Sequence, residues 1–125
     1  MSMETSKKMM IVDDEETLTY SLYQSFILAQ QNFEVVTAAS GEEASEKLRS
    51  SRYDLVITDI SMPGMSGIEL LAYIKKHYPD TEVIIMTAYG SDEKREEAMK
   101  NGARYYIEKP FEIREFKQLV MDLLQ

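Results

Sequence analysis

Leu55-Val56-Ile57-Thr58-Asp59-Ile60-Ser61-Met62-Pro63-Gly64-Met65-Ser66-Gly67-Ile68-Glu69-Leu70-Leu71-Ala72 is the stretch whose reading decides the fold. Leu55 to Thr58 is a short apolar run rich in β-branched residues, which reads as a strand buried on both faces. It is closed by the acid Asp59. Pro and two Gly punctuate residues 61–67 as a loop. Ile68, Leu71 and Ala72 then open a helix that ends before Pro79. One strand, one loop and one helix follow each other here, and the same alternation continues in both directions.

Towards the amino end, Met9-Met10-Ile11-Val12 is a buried strand that stops at Asp13-Asp14-Glu15-Glu16. Leu18, Leu22, Phe26 and Ala29 recur at helical spacing and predict a helix from about Thr17 to Gln30. Glu34-Val35-Val36-Thr37-Ala38 is the second strand. Ser40 can cap a helix running to about Ser50, with Glu43 three residues on, as in a capping box. Towards the carboxyl end, Val83-Ile84-Ile85-Met86 is the fourth strand. A polar helix from about Ser91 to Asn101 is stopped by Gly102, and its apolar residues are Ala98 and Met99 alone. Arg104-Tyr105-Tyr106-Ile107 is the fifth strand, and Phe116, Leu119, Val120 and Leu123 stripe a last helix.

Five strands alternating with five helices imply a three-layered, doubly wound α/β fold with a five-stranded parallel sheet. With 125 residues the chain is one domain. The domain is expected over residues 7–125, after a disordered extension over 1–6. No apolar run approaches the ~20 residues that cross a bilayer. The chain has no Cys, which excludes disulfides, Cys-ligated zinc and thiol catalysis and favours a cytoplasmic location. A net charge of −8, from 22 acids against 14 bases, argues against binding to duplex nucleic acid, which needs a basic face.

In open α/β sheets function gathers at the carboxyl ends of the strands. Strand one delivers Asp13 and Asp14 there, strand three Asp59, strand four Thr87, and strand five Lys109 just beyond its end. Carboxylates brought together repel, so either a pKa rises or a cation enters. An oxygen-only donor set with no Cys and no nearby His points to a hard cation, and Mg²⁺ suits best. A lysine and a hydroxyl beside a carboxylate–metal centre are the parts phosphoryl chemistry uses, and a carboxylate can itself be the nucleophile. His77, near a helix end before Pro79, lies away from the acids and reads as a surface residue.

The motifs Asp13-Asp14, Asp59 opening an Asp-x-x-Met-Pro-x-Met-x-Gly loop, Thr87-Ala88 and Lys109-Pro110-Phe111 together resemble the CheY-like receiver domain of two-component response regulators. The resemblance spans about residues 7 to 124. It implies the flavodoxin-like strand order 2-1-3-4-5 and a phosphorylation-dependent switch. Asp59 would accept phosphate from a sensor histidine kinase or a phosphotransfer protein. Asp14 and Asp59 would bind Mg²⁺ directly with the Ser61 backbone carbonyl, and Asp13 through a water. Thr87 and Lys109 would contact the phosphoryl oxygens, and Thr87 with Tyr106 would form the switch, the hydroxyl moving toward phosphate and the aromatic ring turning inward, that controls a downstream protein target or effector through the α4-β5-α5 face. A cis Lys109–Pro110 bond is implied as well. A monomer when unphosphorylated and no direct binding to nucleic acid or membrane are the further expectations.

The resemblance also implies a phosphoacceptor that assists its own Mg²⁺-dependent phosphorylation and dephosphorylation, rather than an enzyme acting on external substrates. An aspartate-nucleophile phosphatase would carry an Asp-x-Asp motif after its first strand, which Asp13-Asp14-Glu15 lacks. A flavin-binding reading lacks its phosphate loop. A phosphorylation-independent interaction module is the alternative, and the intact Asp13, Asp14, Asp59, Thr87 and Lys109 weigh against it. Ser66 stands where the family often has Asp. The same resemblance implies that Ser61 and Tyr89, two residues past Asp59 and Thr87, flank the approach of water to the acceptor. The Tyr89 ring is expected to shield it, the alternative being that it points to solvent or to a partner.

Overall fold

The computed structural model describes residues 7–29 and 33–124, with the backbone alone for 16–18, 27–29 and 33. The expected extension over 1–6 lies outside these residues, as do Gln30 and the side chains of Leu18 and Ala29. The elements alternate strictly: β1 (Lys7–Val12), α1 (Glu16–Ala29), β2 (Phe33–Ala38), α2 (Gly41–Ser50), β3 (Leu55–Asp59), α3 (Gly67–His77), β4 (Glu82–Thr87), α4 (Asp92–Lys100), β5 (Tyr105–Glu108) and α5 (Ile113–Leu123). Every strand pairing is parallel, and the sheet order is β2-β1-β3-β4-β5. The expected α/β fold and strand order are those found.

Alternation along the strands explains why their runs are apolar throughout. Met9, Ile11, Leu55, Ile57, Ile84 and Met86 face one layer, where they pack with Leu22 and Phe26 of α1 and Phe116 and Val120 of α5. Met10, Val12, Val56, Val83 and Ile85 face the other, against Ala44 and Leu48 of α2, Leu70, Leu71 and Ile74 of α3, and Ala98 of α4. Met9 to Val12 are all fully buried, at about 1.5–3 kcal/mol for each large side chain. These two half-cores hold the sheet rigid, and its strand ends therefore sit at fixed positions.

Several boundaries differ from the sequence reading. β1 begins at Lys7 instead of Met9, because the backbone of Lys7 and Lys8 continues the ladder opposite Phe33 and Glu34. The Lys8 ammonium lies over the Tyr53 ring, 4.8 Å from the centroid, and the Lys8 backbone N–H donates to Asp54 Oδ2. β5 is shifted by one residue, to Tyr105–Glu108. At α2, Ser40 Oγ accepts the Glu43 N–H as expected, but the Glu43 carboxylate accepts from Ala39, one residue before the N-cap. The reciprocal capping box forms instead at α3, between Ser66 and Glu69. The Lys109–Pro110 peptide is cis, as expected.

Candidate functional site at the carboxyl ends of the strands

β1 and β3 lie side by side, with Val12 opposite Thr58, so Asp13 and Asp59 leave the sheet as neighbours. Ligand oxygens of Asp13, Asp14 and Asp59 all lie within 4.8 Å of one another. Asp13 and Asp59 are buried and Asp14 is exposed. Thr87 ends β4 with no exposed surface, and Lys109 leaves β5 with its N–H donating to the Thr87 carbonyl. All five residues read from the sequence therefore stand at one edge of the sheet.

The acids are not left to repel unopposed. Lys109 Nζ lies 2.8 Å from Asp59 Oδ2 and 2.9 Å from Asp13 Oδ2, with the exposed Glu15 further off at 3.7 Å. The remaining oxygens are held by backbone: Asp59 Oδ1 accepts the Ser61 N–H, and Asp13 Oδ1 accepts the Glu15 N–H. Burial raises the pKa of Asp13, and it outweighs the lowering by the Glu15 N–H and by Lys109. For Lys109 burial alone would lower the pKa, but hydrogen bonds to Asp59 and Asp13, with their charges, hold it above the ordinary lysine value. Three carboxylates face one ammonium, and the cluster keeps an excess of negative charge.

This donor set fits a small hard cation. It is all oxygen, it is compact, and its charge excess is what a divalent ion would neutralise. Both oxygens of Asp13 are already engaged, whereas Asp14 opens to solvent.

The loop that brings Ser61 to Asp59 turns back on itself at Gly67. The Gly67 N–H donates to the Ile60 carbonyl at 3.0 Å, and a Cβ here would stand 2.1 Å from the Asp59 carbonyl oxygen. Only glycine permits that approach. His77 is exposed and stacks against Tyr73, remote from the acids. Tyr106 is buried, at 7% exposure. Tyr89 departs from expectation: its N–H donates to Thr87 Oγ1, but its ring is 78% exposed and spends little surface covering the acceptor.

Comparison with known proteins covers nearly the whole chain. The response regulator receiver domain pattern matches residues 9–121. The chain belongs to the response regulator receiver family. Among curated relatives, the receiver is 40% identical to the response regulator protein FleR of Pseudomonas aeruginosa, over 90% of this chain and 24% of that one. It is 34% identical to the transcriptional regulatory protein SrrA of Staphylococcus aureus, over 96% of this chain and 48% of that one. The receiver thus spans about a quarter of the first relative and about half of the second. Among solved structures, a CheY-like receiver domain protein from Methanospirillum hungatei superposes with a TM-score of 0.90 at 31% identity, covering 96% of this chain and 94% of that one. The beryllofluoride-activated NtrC4 receiver domain dimer superposes at 0.82 with 33% identity, covering 92% and 93%. Receivers of this family are signalling domains of two-component systems, and among the described residues no helix is long and apolar enough to cross a membrane.

Proposed function

We propose that this receiver is a switch thrown by phosphorylation of Asp59. The observation that carries the reading is the Asp59 carboxylate itself. It is 7% exposed, with one oxygen on the Ser61 N–H, the other on Lys109, and two further carboxylates beside it. Both donors orient it as a nucleophile.

In the proposed reaction an Asp59 oxygen attacks the phosphorus of a phosphohistidine on a sensor kinase or phosphotransfer protein. The N–P bond breaks, and the imidazole leaves with the electron pair and takes up a proton. Asp14, Asp59 and the Ser61 carbonyl would hold Mg²⁺, with Asp13 acting through a water, and the bound ion would supply positive charge against the charge of the phosphoryl group. Lys109 exchanges its Asp59 oxygen for a phosphoryl oxygen and keeps Asp13 as its second partner. The Thr87 hydroxyl, already accepting from the Tyr89 N–H, directs its own proton to the phosphoryl group. That movement reaches Tyr106 and the face formed by α4, β5 and α5, which a downstream protein reads. The acidic surface fits a monomer that does not bind nucleic acid itself.

Acetyl phosphate with Mg²⁺ is expected to add one phosphoryl group, and Asp59→Asn to abolish its uptake. Lys109→Ala is expected to accept phosphate without the spectral shift that beryllofluoride induces in the parent protein. Mass spectrometry placing the phosphoryl group on Thr87 or Ser61, or beryllofluoride leaving the parent spectrum unchanged, overturns the reading.

A further inference from the structure

Among the described residues, the buried hydroxyl of Tyr106 has no hydrogen-bond partner. Burying a hydroxyl without a partner is unfavourable, so the inward ring needs something else to hold it. Two neighbours supply that. Gly90, at the end of the loop after β4, leaves the space that the hydroxyl fills. A Cβ at residue 90 would stand 2.7 Å from the Tyr106 hydroxyl oxygen and 3.2 Å from Thr87 Cγ2. The same Cβ would meet the Glu108 carboxylate at 2.6 Å, but that exposed, flexible tip can move away cheaply. The Tyr106 ring cannot yield in place, because it is rigid and packed within the half-core that includes Ala98 and Ala103. Its alternative is to rotate about χ1 to the outside.

The second neighbour is Arg95 on α4. Its guanidinium carbon lies 5.2 Å from the centroid of the Tyr106 ring, within cation–π range, while the residue stays exposed. Arg95 thus closes the outer side of the pocket whose inner side Gly90 leaves open. None of these contacts includes Asp59.

We propose that Gly90 and Arg95 form a latch that holds Tyr106 in its buried rotamer, so that the resting position of the ring is set by these two positioning residues as well as by events at Asp59. The latch also ties α4 to β5. α4 buries only Ala98, so the Arg95–Tyr106 contact is a large part of its attachment there. A ring that swings out gives up Arg95 and frees that helix face.

The functional meaning of the latch rests on the switch reading, but its test does not require a phosphoryl donor. The unmodified protein would be nitrated with tetranitromethane and each tyrosine followed by peptide mass spectrometry. Tyr20 and Tyr89, 63% and 78% exposed, are expected to react, and buried Tyr53 and Tyr106 to be protected. Gly90→Ala is expected to bring Tyr106 to the reactivity of the exposed rings while Tyr53 stays protected. Arg95→Gln is expected to speed nitration of Tyr106 several-fold, and Arg95→Lys, which keeps a cation over the ring, to restore most of the protection. Continued protection of Tyr106 in Gly90→Ala and Arg95→Gln overturns the proposal. So does equal reactivity in Arg95→Gln and Arg95→Lys, or exposure of Tyr53 together with Tyr106, which would mean general loosening. A failure here leaves phosphorylation of Asp59 to be judged on its own experiment.

Discussion

Lys109 is one ammonium among three carboxylates, and its choice of partners decides what substitutions at the site do. Asp59→Asn removes one negative charge from the cluster but leaves Lys109 its 2.9 Å pair with Asp13. The net effect is relief of repulsion. Asp59→Asn is expected to stabilise the metal-free protein by about 1 kcal/mol, a few degrees in Tm. The gain on adding Mg²⁺, which acts by binding the folded state, is expected to shrink. Scanning calorimetry with and without Mg²⁺ checks both, and equal Mg²⁺ gains in parent and variant would separate Asp59 from the cation. The positions of these residues were legible because strand ends are legible: an apolar run stops, and the next side chain is at the edge. The pairing was not. Lys109 reaches Asp13 and Asp59 across 96 and 50 residues of sequence, and only side-chain distances reveal that it already neutralises part of the acid cluster. The exposure of Tyr89 and the place of Gly90 beside Tyr106 escaped the sequence for the same reason.

At the scale of elements, the turn from β3 into α3 is the most constrained part of the chain. Gly67→Ala would push a methyl group to 2.1 Å from the carbonyl oxygen of Asp59, and backbone on both sides has little room to give. The expected cost is about 2–4 kcal/mol, with slower uptake from acetyl phosphate because the acceptor is displaced. Ser66→Ala removes the cap alone and is the control. It should cost about 1 kcal/mol and leave uptake unchanged. Denaturant unfolding and phosphorylation kinetics on both variants separate strain at the acceptor from loss of the helix cap. Ser66 read from sequence as a departure from the family pattern, and it proves to be a cap that the Glu69 side chain completes. Periodicity located every helix and strand but misjudged ends such as Lys7 and Lys8. Charged residues break an apolar run on paper, yet their backbone continues the ladder and their stems pack on the sheet.

For the molecule as a whole, alternation and parallel pairing pointed to a doubly wound sheet, and the order β2-β1-β3-β4-β5 was legible only through the family resemblance. That order has a consequence for how the machine divides. The exposed turn at Pro79-Asp80 separates β1, β2 and β3, with all three carboxylates, from β4 and β5, with the hydroxyl and the ammonium. Cut there, the chain yields two net acidic pieces, one with the site's carboxylates and the other with its ammonium, joined along the β3–β4 ladder from Leu55 and Glu82 to Asp59 and Met86. Neither piece is expected to take up phosphate from acetyl phosphate alone, and mixing the two should restore uptake on the piece carrying Asp59. The receiver would then act as a coincidence detector: two separately expressed fragments report, by one phosphorylated aspartate, that they have met.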